Sequence, residues 1–251
     1  MDPVTIEFTN YQESITAALN ALNAQEILSK QTAILIKPNL VNDSPPPITT
    51  PVACCEAIIQ YIRLCSQAKI VIAEGCGEPK ITTDEIFDIL DYTPLIEKYG
   101  ITLVDLNEAQ LTNLEDKSCS VFSDIYLPEI AFNHYLISVP VLKAHSLAIM
   151  TGTLKNMMGF APPKYYSGKF GIWRKSVFHQ KMQESIIDLN KYRTPDLSIL
   201  DATVGMAEYH LGGAHCNPPL NKIVAGFDPK KVDRIGAELL GYPWESIPHL
   251  K

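Results

Sequence analysis

The chain has 251 residues, of which 20% are charged and 46% hydrophobic, and a formal net charge of -7. A body of this size buries roughly three quarters of its unfolded surface, so it needs no disulfide support, and its composition excludes a disordered chain. The acidic balance and the lack of any Lys/Arg-rich run argue against nucleic acid as a partner, and no apolar run reaches the roughly 18 residues of a membrane span.

From Met1 to Glu7 there is neither a basic nor an apolar leader region, and the six cysteines show no C-x-x-C spacing. Reduced thiols and a cytoplasmic location are the expectation. Short apolar, β-rich runs predict strands at Ala33–Lys37, Lys69–Ala73, Ile101–Asp105, Tyr135–Pro140, Leu197–Asp201 and Lys222–Phe227. Helical spacing of apolar residues predicts helices over Pro51–Leu64, Thr83–Leu90, Phe178–Lys191 and Pro229–Leu240, the last stopped by Gly241. This alternation implies an α/β fold: a mostly parallel, Rossmann-like sheet with helices on both faces, in one domain over residues 1–251. The proline-rich stretch Val41–Pro51 reads as a rigid loop, and Ala161–Trp173 as a flap in which Trp173, Tyr165 and Tyr166 either line a pocket or anchor the segment.

In open parallel sheets, ligands bind beyond the carboxyl ends of the strands. Lys37, Asn39, Glu74, Lys143, His145, Asp201 and Asp228 follow the predicted strands and are expected along one sheet edge. Lys143 and His145, two residues apart in extended backbone, project to one side. Nearby lysines favour a neutral imidazole, the form a general base needs. Lys155 follows Thr151-Gly152-Thr153, where a helix start would offer free N–H groups to an anion. That turn either cradles a ligand or merely needs its glycine. His179, His210 and His215 are metal candidates whose spacing fits no common zinc pattern.

Several of these strings resemble the family known as domain of unknown function 362: Ile36 to Asn39, Lys143-Ala-His145, Thr151 to Asn156 with Gly159, and the segment Asp228 to Asp233. The resemblance covers nearly the whole chain. Members often carry ferredoxin-type cysteine clusters; this chain lacks the spacing, so no iron–sulfur cluster is expected. The order of motifs is also similar to the N-terminal domain of the nickel-dependent lactate racemase family. Thr49-Thr50-Pro51, the strand running through Glu74 and Gly75 to Gly77, and the pair His145 and Lys155 stand in matching order. That resemblance implies one pocket shared by His145 and Lys155, and offers His179 as the loose counterpart of a nickel-binding histidine. Gly77 stands where that pattern has its first catalytic histidine.

The expectation is therefore an enzyme for an anionic small molecule, a carboxylate or phosphate, with isomerase- or lyase-type proton transfer. His145, Lys155 and Lys143 are its catalytic candidates. Lys37, Asn39, Thr49, Thr50, Glu74, Gly75, Thr151, Gly152, Asn156 and Asp201 are its binding candidates. A divalent metal and a homo-oligomer are both compatible with the sequence. A non-catalytic carrier is the alternative, in which His145 only donates hydrogen bonds, and a redox protein with an external electron partner is a third.

Overall fold

The computed structural model describes residues 1–168 and 173–251. Its strands are, in chain order, β1 (Val4–Glu7), β2 (Ala33–Pro38), β3 (Lys69–Glu74), β4 (Thr102–Asp105), β5 (Leu111–Glu115) and β6 (Asp124–Pro128). They continue with β7 (Tyr135–Val139), β8 (Val141–His145), β9 (Ile149–Thr151), β10 (Leu197–Met206) and β11 (Lys222–Gly226). The helices are α1 (Tyr11–Ala21), α2 (Gln25–Leu28), α3 (Val52–Cys65), α4 (Thr83–Ile89), α5 (Pro94–Tyr99), α6 (Thr153–Asn156), α7 (Pro163–Tyr166), α8 (Met182–Tyr192) and α9 (Pro229–Leu239).

The main sheet runs β1-β11-β10-β7-β2-β3-β4, with β8 beside β10 and β9 beside β8; β5 and β6 form a separate antiparallel pair. β10, β7, β2, β3 and β4 are mutually parallel. The α/β class expected from the sequence is the one observed.

The central strands read as unbroken apolar runs because both sheet faces are covered. Alternation then deals their side chains to two cores. Ile34 and Ile36 enter one core with Ile70, Ile72, Ile137, Val139 and the α3 side chains. Leu35, Leu136, Leu200 and Val224 enter the other, with residues of α8 and α9. Helix starts follow local chemistry: Thr82 and Glu85 close a capping box on α4, and Asp228 accepts from the Lys231 N–H at the start of α9. Gly241 follows α9 with φ of 79°, as a helix stop requires.

Two expectations about the sheet edge need correction. β11 lies antiparallel to β10, so its carboxyl end, and with it Asp228, falls on the opposite edge from Lys37 and Glu74. β10 does not stop at Asp201 but continues to Met206, leaving Asp201 inside a strand. Its carboxylate accepts from the Tyr11 hydroxyl at 2.7 Å and the Thr203 N–H at 2.9 Å, on the α1 side of the sheet.

Of the expected flap, residues 169–172 lie outside the described residues. The rest is tied down. Tyr165 stacks on Tyr126, and the Tyr166 hydroxyl accepts from the Tyr126 N–H. Both tyrosines anchor the segment. Among the described residues, no helix is long and apolar enough to cross a membrane.

Candidate functional site

Beyond the carboxyl ends of β2, β3 and β8 lies a cavity of about 310 Å³. Its polar wall includes Lys37, Asn39, Glu74, Gly75, His145 and Thr151, together with Lys155, Asn156, Lys175, His179 and His210. The sequence-predicted pair His145 and Lys155 thus shares one cavity, although they come from a hairpin and from a separate short helix.

Four lysines gather at or beneath this wall, and their hydrogen bonds separate them. Lys37, fully buried, donates to Glu74 Oε1 at 2.8 Å, the Pro38 carbonyl at 3.1 Å and Asn156 Oδ1 at 3.2 Å. All three of its protons are used. Glu74 is equally committed: its carboxylate also accepts from the Leu40 and Gly75 N–H groups. It is the internal counter-charge of Lys37, and three hydrogen bonds from the protein already fix its carboxylate. Asn156 completes the knot by donating to the Lys37 carbonyl and Ser138 Oγ.

Lys143 lies under the cavity rather than in its wall. Its ammonium donates to Asn39 Oδ1 and the Ile48 carbonyl, both at 2.6 Å, and pins the proline-rich loop. Thr50 does the same work by accepting from the Asn39 N–H and donating to the Val139 carbonyl, while Thr49 donates to the Ser44 carbonyl. Thr49 and Thr50 therefore shape the loop and do not face the cavity, contrary to their expected binding role. Burial, and then the neighbouring Lys155 cation, lower Lys143 to about 7.

Lys175 went unnoticed in the sequence, because a lysine beside a Trp-Arg pair reads as surface. It is buried, and its ammonium donates to Asn107 Oδ1, the Gly159 carbonyl and the Ala161 carbonyl at 2.7–3.0 Å. Gly159 and Gly75 must lack side chains here. A Cβ on Gly159 would collide with Glu74 and Lys37, and one on Gly75 with the Gly159 carbonyl and Asn107.

Lys155 differs from the other three. It opens partly into the cavity, and its ammonium has no hydrogen-bond partner among the described residues. Desolvation, and then the Lys37 cation, bring it down to about 8. Thr151 in the same wall carries a buried hydroxyl that is likewise unpartnered among the described residues.

His145 closes β8, and the chain turns directly into β9. The Leu147 and Ala148 N–H groups both donate to its Nδ1, at 3.1 and 3.2 Å. A ring nitrogen that accepts carries a lone pair, so in the neutral ring the proton sits on Nε2. Desolvation first, then the cationic surroundings led by Lys155, hold the imidazole far below its ordinary pKa. It is neutral, as the sequence implies, but it is a hydrogen-bond donor. The expected general-base role fails because the turn has consumed the basic nitrogen. His210 stacks on it with centroids 3.9 Å apart, and burial and then Lys155 depress that ring to about 3.

The Gly152 turn, read from the sequence as either an anion cradle or a turn that merely needs its glycine, is already filled from within. Asp233 of α9 accepts from the Thr153 N–H at 2.6 Å and the Leu154 N–H at 2.8 Å. Gly152 makes room for that carboxylate, with which a Cβ would collide.

His215 is exposed and pairs with Met206 through an isolated bridge, outside the cavity wall. His179 and His210 do face the cavity, but among the described residues no three His, Cys, Asp or Glu side chains converge to hold a metal ion. With Glu74 tied to Lys37 and His145 Nδ1 occupied, these residues do not fit a metal centre.

A family model described as Domain of unknown function (DUF362) matches residues 34–238, and the chain belongs to that family. No curated protein matches the sequence. Among solved structures, the lactate racemase apoprotein from Thermoanaerobacterium thermosaccharolyticum is similar, with a TM-score of 0.57 at 13% sequence identity. The likeness covers 94% of this chain and 56% of that one, so this chain spans little more than half of its structural neighbour. At that identity the likeness is one of fold.

Proposed function

We propose that this member of the DUF362 family binds a small carboxylate-bearing anion in the cavity and moves a proton at the carbon next to the carboxylate. The observation that carries this reading is the contrast among the lysines. Lys37 and Lys175 each spend three protons on the protein and Lys143 two, whereas Lys155 faces the cavity with none spent among the described residues. Positive groups that depress one another gain from an anion brought among them.

His145 and Lys155, two of the three catalytic candidates, exchange the roles that the sequence suggested. Lys155, lowered to about 8, has a proton affinity suited to a general base near neutral pH. In the fraction of molecules in which Lys155 is neutral, its amine takes the C–H proton and becomes an ammonium beside the bound anion. The C–H electron pair moves toward the carboxylate, and His145 Nε2–H donates to the oxygen that gains charge. Lys143 and Lys175 favour that charge from beneath. Return of a proton from the Lys155 ammonium would complete hydrogen exchange at that carbon, and loss of a leaving group from the neighbouring carbon, protonated by the same ammonium, would complete an elimination.

A carrier reading is favoured by one feature, the fixed donor state of His145, which serves binding without turnover equally well. Proton exchange separates the two. Incubation with 2-hydroxy carboxylates in heavy water should replace the C2–H proton by deuterium, as read by NMR. Lys155→Met should slow that exchange by about 100-fold or more. Binding of these acids with no deuterium uptake by any of them would leave the carrier reading in place of the enzyme.

A further inference from the structure

The cavity has a second, apolar part that a small hydroxy acid would leave unused. Val41 after β2, Leu147 at the β8–β9 turn, Met158, Trp173, and Tyr209 and Leu211 in the β10–β11 loop all line it. At roughly 30 Å³ for each water-sized group, a space of about 310 Å³ takes on the order of ten non-hydrogen atoms. A carboxylate fills only three of them.

Position links the two parts. Leu147 gives its backbone N–H to His145 Nδ1, so the residue that fixes the polar donor also offers an apolar side chain to the same cavity. Leu147 is 46% exposed and Tyr209 43%, so both leave apolar surface in water at the cavity wall. A bound apolar body would cover that surface. The charge pattern narrows the class further. The one carboxylate lining the wall among the described residues, Glu74, is held by Lys37 and two backbone N–H groups. Beside Lys155 a ligand ammonium would meet repulsion without a free partner.

We infer that the ligand is an amphipathic monoanion: a carboxylate without an amino group, carrying an apolar or aromatic body of several carbons that lies against Leu147, Tyr209 and Trp173. This rests on the anion reading above and specifies the class that the site selects.

Calorimetric titration of the whole chain with acetate, butanoate and hexanoate, at fixed pH and ionic strength, tests it. Affinity should rise about fourfold for each methylene added. The amino acid norleucine, which has the carbon chain of hexanoate, should bind at least tenfold more weakly than hexanoate. Leu147→Ser and Tyr209→Ser, each replacing a partly exposed side chain, should reduce hexanoate affinity at least fivefold more than acetate affinity. The melting temperature of each variant reports whether it is folded. Acetate binding with no gain along the series, or norleucine binding as well as hexanoate, overturns the inference and leaves the anion reading standing. If no acid binds, or Lys155→Met leaves binding untouched, both fall together.

Discussion

Within the five residues Gly152 to Asn156 the chain presents positive polarity twice, and the two cases are resolved in opposite ways. The N–H groups of Thr153 and Leu154 are answered by Asp233, a buried carboxylate supplied by α9. The Lys155 ammonium, in the next residue, has no answering group among the described residues. The first pair belongs to the architecture, because its counter-charge is covalently part of the chain. The second has no such internal answer among the described residues, which is why the proposed binding role rests on it. Lys37 repeats the first pattern through Glu74. A positive group near a cavity is therefore a binding candidate only after its internal partners have been counted.

The largest effect should come from breaking an internal pair. Lys37→Met leaves Glu74 buried without its cation and should cost about 3–5 kcal/mol in chemical denaturation. Lys155→Met removes a desolvated cation that has no partner, so stability should stay level or rise. Equal losses in the two variants would erase the distinction.

Next comes Asp233. Asp233→Ala strands two buried N–H groups and should cost about 2–3 kcal/mol. Desolvation raises this carboxyl to about 7 in the folded protein, above its ordinary 3.8. The folded state therefore holds its proton more tightly. Its contribution is complete below about pH 4 and is lost as pH rises through about 7. Asp233→Asn should flatten that part of the stability profile, measured as melting temperature against pH.

Lysines act with the opposite slope. Lys155 falls from 10.5 to about 8 on folding, so its contribution is present above about 10.5 and is lost as pH falls through about 8. Melting temperature should climb between those values, and Lys155→Met should reduce the climb. A smaller effect of the same origin is expected from acetate near neutral pH, which should raise the melting temperature of the native chain and have less effect on Lys155→Met.

Six strands of the main sheet were legible, because a sheet covered on both faces writes mostly apolar runs. β1 and β9 were not, being short, nor was β8, whose Lys143 and His145 interrupt its apolar run. The direction of β11 also escaped, because direction depends on the path of the connecting chain and not on strand composition. That is why Asp228 was assigned to the wrong edge. Within the site, the strand-end rule found Lys37, Glu74 and His145. It could not distinguish Lys155 from Lys143, since the partners that separate them, Asn39 and the Ile48 carbonyl, lie about a hundred residues away in sequence. Thr151, Asn156 and Lys155 were found through a motif, but the Gly152 turn is filled by Asp233, from far along the chain. Lys175 carried no signal at all, since only three convergent acceptors make it internal.

The most direct test is the nitrogen-15 NMR spectrum of the histidine side chains at neutral pH, with the His145 signals assigned by substitution and acetate then added. The account predicts a neutral His145 ring with its proton on Nε2, and an Nε2–H signal that shifts when acetate binds and does so less in Lys155→Met. A His145 ring protonated on Nδ1, titrating near its ordinary value of 6.5, or indifferent to acetate would contradict it.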